Sequence, residues 1–289
     1  MLTPVQKLQY LFNSLARHGE KVTCTYCGST DCSMIDRKYF VTRLFECDKC
    51  HMYFRHPVER IDQNKKFYQE EYEETDNITT LLPSADELEN MKKNGFSNGN
   101  KNADRYLKII QQLFPDQKAV SVIDYGCSWG YISWQLKMAG HKVQSFEISK
   151  PRADFGNKNL GLDIVTEETK INGNNDIFFS AHVIEHHPSI PAMIDLARKL
   201  IGKNGYFIAI SPNGSRQYRD HDPNGFHRAW GKVHPNYLNV DFYKTVFKDD
   251  PYFIASNPYN ISEIRPFGKG DQVIDNLGGE ELLVIARFS

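Results

Sequence analysis

Apolar and polar positions alternate in two ways between residues 104 and 213. Short runs of β-branched and aromatic residues are separated by stretches whose apolar positions recur every three or four residues. The first pattern predicts buried strands, and the second predicts amphipathic helices. The predicted strands are 119–124, 142–147, 162–165, 176–181 and 206–211, and the predicted helices are 106–114, 129–139, a helix beginning at 149–151, and 191–201. This alternation indicates a parallel sheet covered on both faces.

The end of the chain follows a different pattern. Two strand-like runs, 252–255 and 282–288, flank a loop rich in Gly and Asp. They fit an antiparallel hairpin that closes the sheet. We therefore predict an α/β fold, a Rossmann-like doubly wound sheet with an antiparallel closing hairpin, over residues 104–289. The stretch at about 214–250 interrupts this pattern and is predicted to be an insertion.

The first 103 residues show no such alternation. Thr3-Pro4 predicts the start of a helix that runs to about residue 18, with Pro in the first turn. Its predicted apolar face is Leu8, Leu11, Phe12 and Leu15. A strand is predicted at 39–45, and a polar connector, loosest at 95–100, suits a mobile cover or linker. We divide the chain into a helix with a small cysteine-rich domain at 1–57, a connector at 58–103, and the α/β domain at 104–289.

Composition narrows the class of protein. The 289 residues include 35 Lys plus Arg against 36 Asp plus Glu, a net charge of −1. A protein that holds a long nucleic-acid backbone usually carries a basic excess, so nucleic acid is not the expected partner. We see neither a secretory signal peptide nor an apolar run of the roughly 18 residues that a membrane span needs. The expected location is the cytoplasm, where thiols stay reduced.

Five of the six cysteines lie in the first 50 residues. Two Cys-x-x-Cys pairs are separated by 19 residues, the spacing of a four-thiolate zinc site. The predicted ligands are Cys24, Cys27, Cys47 and Cys50. Four thiolates fill a tetrahedron, so the predicted Zn²⁺ is structural. Cys32 and His51 are spare candidates, more simply read as bystanders.

The run Asp124-Tyr-Gly126-Cys-Ser128-Trp-Gly130 lies between a predicted strand and helix. Small residues there let the backbone approach a ligand, and amides at a helix start favour an anionic group. Glu147 ends the next strand, 17 residues after Gly130, where a carboxylate can bind the ribose hydroxyls of a nucleotide. The same run matches G-x-S-x-G, the nucleophile elbow of α/β hydrolases with Ser128 as nucleophile. The elbow should follow several earlier strands, and it explains neither Asp124 nor Glu147.

These segments resemble class I S-adenosylmethionine-dependent methyltransferases, with Ser128 where glycine is commoner. The resemblance covers about residues 22–213. The N-terminal part is similar to one branch of this family, whose members carry a four-cysteine zinc ribbon. The further segments that carry it are Tyr53-Phe54-Arg-His-Pro57, Phe67-Tyr-Gln-Glu-Glu-Tyr72, Ala181-His182-Val-Ile-Glu185-His186-His187-Pro188 and Leu200 to Asn213. It implies that S-adenosylmethionine is the cofactor and that the insertion at 214–250 covers the acceptor.

The resemblance also implies roles for single residues. Gly126, Cys127 and Gly130 would line the methionine part of the cofactor, and Glu147 would hold the ribose. Asp124 would orient the loop from beneath, and His182 would lie beside the cofactor. Adenine would lie near residues 166–167, in a segment that diverges from the family.

Removal of a proton from the acceptor suits histidine, whose ordinary pKa is near neutrality. The candidates are His186, His227 and His234. Glu185 and His186 could instead fix a loop. The histidines of 219–236 could belong to a polar surface loop, or with Asp222 they could bind a second metal.

We predict a methyltransferase that acts on a small molecule or saccharide, most simply at oxygen. The alternatives are an RNA methyltransferase whose ribbon docks the nucleic acid, an α/β hydrolase, and a non-catalytic module that retains the cofactor fold. The acceptor, the choice between O-, N- and C-methylation, and the oligomeric state stay open at this point.

Overall fold

The computed structural model describes residues 4–58, 81–97 and 99–288. The predicted motif Phe67 to Tyr72 lies outside the described residues. Twelve strands in this part of the chain form two sheets. No helix in these ranges is both long enough and apolar enough to cross a lipid bilayer.

The large sheet contains eight strands in the order β11-β10-β12-β8-β7-β4-β5-β6. Its parallel part consists of β4 (Ser121–Tyr125), β5 (Lys142–Phe146), β6 (Ile164–Val165), β7 (Asn175–Ala181) and β8 (Ile201–Pro212). Its other strands are β10 (Tyr252–Ser256), β11 (Gln272–Ile274) and β12 (Glu281–Arg287), where β12 is antiparallel to both β8 and β10. The predicted α/β fold and closing hairpin are confirmed, and β11 adds an edge strand that we did not predict.

Helices connect the parallel strands and cover the sheet. They are α3 (Asp104–Leu113) before β4, α4 (Tyr131–Met138), α5 (Lys150–Leu160) and α6 (Ile190–Leu200). The chain passes from β4 outward to β5 and β6 and then returns to the other side of β4 through β7. The strand order therefore reverses at the β4–β7 boundary, which is where doubly wound sheets bind ligands beyond their carboxyl ends.

The small sheet contains β1 (Cys32–Lys38), β2 (Thr42–Cys47), β3 (Tyr53–His56) and β9 (Asn236–Tyr237). The strand predicted at 39–45 is wrong in its start, because Tyr39 and Phe40 have φ of 53° and 62° and form the turn between β1 and β2. The last strand, β9, comes from the insertion. Tyr53 pairs with Tyr237, and Phe54 pairs with Asn236, so this sheet joins the N-terminal region to the insertion.

The cysteine-rich sheet also shares a core with the large domain. Cys47, Cys50 and Met52 belong to one buried cluster with Phe242 and Phe207. The insertion contributes three helices to this region, α7 (Arg216–His221), α8 (Pro223–Ala229) and α9 (Val240–Val246). Residues of the cysteine-rich sheet and of the large domain therefore pack in one buried cluster.

Two further sequence predictions differ from the structure. Helix α1 (Pro4–Ala16) is present, but Leu8, Phe12 and Leu15 of the predicted inner face are exposed, while Tyr10 and Ser14 are buried. In the connector, α2 (Ala85–Lys93) begins with a capping box at Ser84 and Glu87. Phe96, in the stretch predicted to be loosest, is 1% exposed and packs against Trp129. This aromatic contact anchors part of the stretch at 95–100, which its composition had predicted to be the loosest part of the connector.

Candidate functional site

The glycine loop runs from the end of β4 to the start of α4, where the sequence predicted it. Gly126 and Gly130 have φ of 78° and 82°, in the left-handed region, and Ser128 follows with φ of 54°. A Cβ on Gly126 would lie 2.4 Å from a methyl carbon of Val183, and one on Gly130 would lie 2.3 Å from Leu162. Backbone conformation and close packing both require glycine at these two positions.

Glu147 follows β5 and lies against the glycine loop. Its Oε2 accepts from the Ser128 amide and its Oε1 from the Ser149 amide, each at 2.8 Å. Burial raises the pKa of this carboxyl group, and the amide hydrogen bonds oppose that rise. The Ile148 amide and the charge of Arg152 also favour the ionised form of Glu147. The structure therefore places this carboxylate directly against the glycine loop.

Asp124 lies beneath the loop, at the end of β4, and is 2% exposed. The Ser133 hydroxyl of α4 donates to its Oδ2 at 2.6 Å, and Ser145 donates to Ser133 at 2.9 Å. Burial raises the pKa of Asp124 to about 7. Cys127 is buried beside it, and burial raises its pKa well above the ordinary value. This thiol is a packing group in the loop and not a reactive thiolate.

His182, at the end of β7, lies between two carboxylates that come from different parts of the fold. Its Nε2 is 3.0 Å from Glu281 of β12, and its Nδ1 is 3.4 Å from Glu185. Arg105 of α3 binds Glu281 through both of its terminal nitrogens, at 2.7 and 3.2 Å. Burial lowers the pKa of His182, but the two carboxylates outweigh it and raise the pKa to about 10. His182 is therefore an imidazolium at neutral pH.

Glu185, His186 and His234 form a second group, on the side of the sheet edge that the insertion covers. One potential ligand atom from each lies within 4.8 Å of the others. Glu185 is fully buried; burial would raise its pKa, but the neighbouring histidines hold it at about 2. Burial lowers the pKa of His186 to about 4. A buried carboxylate thus faces a neutral imidazole at physiological pH.

His227 lies elsewhere, which separates it from the other two predicted catalytic histidines. Its Nδ1 is 2.8 Å from Asp36 of β1, and the Trp230 indole nitrogen donates to the same carboxylate oxygen at 2.8 Å. Asp222 caps α8 through the amide of Gly225. The second metal site suggested for Asp222 with the histidines of the insertion does not form among the described residues; His234 instead joins Glu185 and His186.

The four predicted cysteines come together as the spacing required. Sγ atoms of Cys24 and Cys50 are 3.6 Å apart, and those of Cys27 and Cys47 are 3.5 Å apart. A tetrahedral zinc ion with bonds of 2.3 Å separates its sulfurs by about 3.8 Å, so the cluster fits zinc. Gly28 and His51 directly follow the two knuckles and have φ of 72° and 61°. Cys32 lies outside the cluster, where its thiol donates to the Ser29 carbonyl at 3.7 Å.

The sequence did not point to Glu281 or Arg105 as site residues. Glu281 lies 99 residues beyond His182 in the chain, and the predicted hairpin alone did not fix which strand would lie beside β8. From the sequence, Glu185 is predicted only to fix a loop together with His186. A sequence does not distinguish a fully buried carboxylate from a solvated one. The Glu185-His186 dipeptide was the available signal.

Comparison with solved structures identifies the fold. The plantazolicin methyltransferase BpumL in complex with SAH is 11% identical, with a TM-score of 0.50 and coverage of 78% of this chain and 93% of that chain. The plantazolicin methyltransferase BamL, in complex with a triazolic desmethylPZN analog and SAH, is 10% identical, with a TM-score of 0.50 and coverage of 78% and 96%. A TehB-like SAM-dependent methyltransferase from Corynebacterium glutamicum is 13% identical, with a TM-score of 0.44 and coverage of 71% and 100%.

The scan against protein-family models finds no match, and the search of curated proteins finds none either. At these identities the structural comparison shows the fold alone. The chain has the fold of class I S-adenosylmethionine-dependent methyltransferases. At its N-terminal end it carries a four-cysteine cluster of the kind found in zinc ribbons.

Proposed function

We propose that this protein is an S-adenosylmethionine-dependent methyltransferase that modifies a small molecule or saccharide at oxygen. The observation that carries the proposal is the contact between Glu147 and the glycine loop at the reversal point of a methyltransferase fold. Glu147 would hold the ribose, and Gly126, Cys127 and Gly130 would line the methionine part. When bound, the cofactor supplies an electrophilic methyl group. The protein must align the acceptor with it and remove the acceptor's proton.

The acceptor side is assigned to the loop after β7 and the insertion after β8. His186 and His234 face each other there, with ring centroids 4.7 Å apart. We exclude His227 from this role because its ring is bound to Asp36 of the cysteine-rich sheet. His182, held between Glu185 and Glu281, is stabilised in its protonated form beside the proposed cofactor region, so we do not assign it the role of proton acceptor.

An RNA acceptor is less well supported. The ribbon would have to present a free basic face, but Lys38 of β1 lies 4.5 Å from the Trp230 ring centroid and donates to the Trp230 carbonyl. Strand β3 is paired with β9 and is therefore not an edge of the small sheet. These contacts favour a zinc ribbon that supports the insertion. The net charge of −1 agrees with a small acceptor.

The hydrolase alternative lacks its general base. Ser128 is 5% exposed, and its hydroxyl has no hydrogen-bond partner within the described ranges. A serine nucleophile needs a base within hydrogen-bond reach. The Ser128 amide is instead used to bind Glu147.

Calorimetric titration with S-adenosylmethionine and S-adenosylhomocysteine tests the cofactor assignment. We expect Glu147→Ala to weaken binding about 10- to 100-fold, the cost of losing hydrogen bonds to a charged group. Glu89→Gln, at an exposed carboxylate on α2 paired with Lys92, is the matched control and should bind like the wild type. Wild-type protein that binds neither compound, or a Glu147→Ala variant with unchanged affinity, would contradict the assignment.

Turnover and RNA binding are tested separately. Formation of S-adenosylhomocysteine in the presence of a panel of phenols and saccharides should identify an acceptor class. Filter binding to RNA at low salt should show no retention. Tight retention that weakens steeply with added salt would support the RNA alternative instead.

A further inference from the structure

Three side chains with potential metal-ligand atoms converge on one point between the loop after β7 and the insertion. Glu185 and His186 are adjacent in the loop, and His234 lies 48 residues further on, after α8. Nε2 of His186 is 3.8 Å from Oε1 of Glu185, and the three ligand atoms all lie within 4.8 Å of one another. Tertiary structure therefore assembles a set of two imidazoles and one carboxylate.

Backbone carbonyls fix which ring nitrogen of each histidine carries the proton. Nδ1 of His186 lies 2.5 Å from the carbonyl of Val233, and Nδ1 of His234 lies 2.5 Å from the carbonyl of Ala229. A carbonyl only accepts hydrogen bonds, so Nδ1 must be the donor in both rings. In a neutral imidazole, Nε2 then carries the lone pair. A carbonyl bound to the second nitrogen is also the usual outer-shell partner of a metal-ligating histidine.

The carboxylate in this group is fully buried and has few polar neighbours among the described residues. Glu185 is 0% exposed, and neither of its side-chain oxygens has a hydrogen-bond partner within the described part of the chain. A buried carboxylate needs a compensating positive charge. Nδ1 of His182, at 3.4 Å from Oε1, gives partial compensation on one side. The two imidazoles lie on the other side, where a lone pair on Nε2 of each ring can bind a cation.

We propose that Glu185, His186 and His234 bind a divalent transition-metal ion, with zinc as the best fit. Two imidazoles and a carboxylate are ligands that zinc accepts at 2.0–2.2 Å, in sites that keep a fourth position open. Such bonds need ligand atoms about 3.4 Å apart. The 3.8 Å Glu185–His186 pair is close to this, and binding of the ion requires the wider pairs to contract by side-chain rotation. Both histidines are partly exposed, so the ion has a route of entry.

The open position could accept water or an oxygen of the acceptor. A bound hydroxyl loses its proton more readily, which is the requirement of O-methylation. This use of the metal rests on the proposed function, whereas metal binding itself does not. Binding of zinc in the absence of any cofactor therefore tests the site independently of methyl transfer.

The test is the metal content of the full chain, measured by mass spectrometry after loading with zinc chloride and removal of weakly held metal on a desalting column. We expect two zinc ions per chain for the wild type, one in the four-cysteine cluster and one in the new site. His234→Ala should retain one. His227→Ala is the matched control, a histidine of the same insertion bound to Asp36, and should retain two.

Affinity and spectroscopy give readouts that a merely structural role would not change. With the cysteine cluster loaded, zinc affinity of the second site should fall about a hundredfold or more in His234→Ala. Cobalt titration of the wild type should show a second binding step without new thiolate charge-transfer bands. This measurement does not depend on the folding of any variant. A wild type that binds one ion, or cobalt bands from thiolate ligands only, would overturn the proposal and leave His182 as the partner of Glu185.

Discussion

Replacement of Asp124 by Asn should make the protein progressively more stable than the wild type as the pH rises. Asp124 is 2% exposed, and burial raises its pKa from 3.8 to about 7. The native state therefore holds a proton that the unfolded state has lost between these two pH values. The contribution of Asp124 to the free energy of unfolding is therefore largest below pH 4 and declines as the pH rises to about 7. Asn has no proton to lose, so the variant lacks this decline.

The size of the effect follows from the two pKa values. Each unit of difference corresponds to about 1.4 kcal/mol, and the full difference of about 3 units corresponds to about 4 kcal/mol. About two of these pH units lie between pH 5 and pH 7, so the stability difference between variant and wild type should grow by about 2 to 3 kcal/mol from pH 5 to pH 8. The Ser133 hydroxyl can still donate to the Asn oxygen, so hydrogen-bond changes add an offset that does not depend on pH.

Urea unfolding at several pH values between 5 and 8 measures this difference. Titrating groups that do not interact with Asp124, including the cysteine cluster, are shared by the two proteins and cancel in the comparison. Glu147 interacts with Asp124, so Glu147→Gln in both backgrounds separates its contribution. Asp154→Asn, at an exposed carboxylate on α5 paired with Lys150, is the control for loss of a charge at the surface. A stability difference for Asp124→Asn that is constant from pH 5 to pH 8 would refute the reasoning, since it would mean that Asp124 is already ionised in the native state.

Two further substitutions test the glycine loop and the contact between the cysteine-rich sheet and the insertion. Gly126→Ala should lower the free energy of unfolding by about 2 kcal/mol or more and weaken S-adenosylhomocysteine binding, because its Cβ would clash with Val183 and its φ is 78°. Gly140→Ala, with φ of 96° and open space, isolates the conformational part; equal losses in urea unfolding would rule out the clash. Asp36→Ala should cost about 1–3 kcal/mol through loss of hydrogen bonds to His227 and Trp230; unchanged stability in the same assay would show that this contact contributes nothing.

Local patterns predicted the large sheet because its order follows from rules that act over short distances. Strands alternating with helices leave few parallel topologies, and small residues after β4 mark the loop beside the crossover. The cysteine cluster was predictable for a related reason, since two knuckles fix four sulfurs by spacing alone. The errors came where the pattern was ambiguous. Leu8 and Phe12 fitted an inward face of α1, but Tyr10 and Ser14 are the residues that it buries.

The grouping of the histidines depended on distant contacts, and the sequence could not settle it. His227 and His234 lie in one short stretch, yet the first contacts Asp36 at the ribbon and the second lies against Glu185. What separates them is the pairing of β3 with β9, which places the chain after His234 along the edge of the cysteine-rich sheet. No periodicity in either segment indicates that pairing, because β9 contains only two residues.

The same pairing makes the cysteine cluster part of the architecture of the acceptor side. Asn239 donates to the carbonyl of His51, next to the second knuckle, and Asn236 donates to the carbonyl of His187. One short segment of the insertion is thus bound both to the knuckle and to the loop that carries Glu185. Four thiolates without a metal would repel one another once ionised, so loss of the ion would loosen the knuckle first. Because the knuckle holds the insertion, that change would also displace His234 from Glu185. The ribbon therefore fits a role in shaping the proposed acceptor side, since it shares a buried core with the large domain.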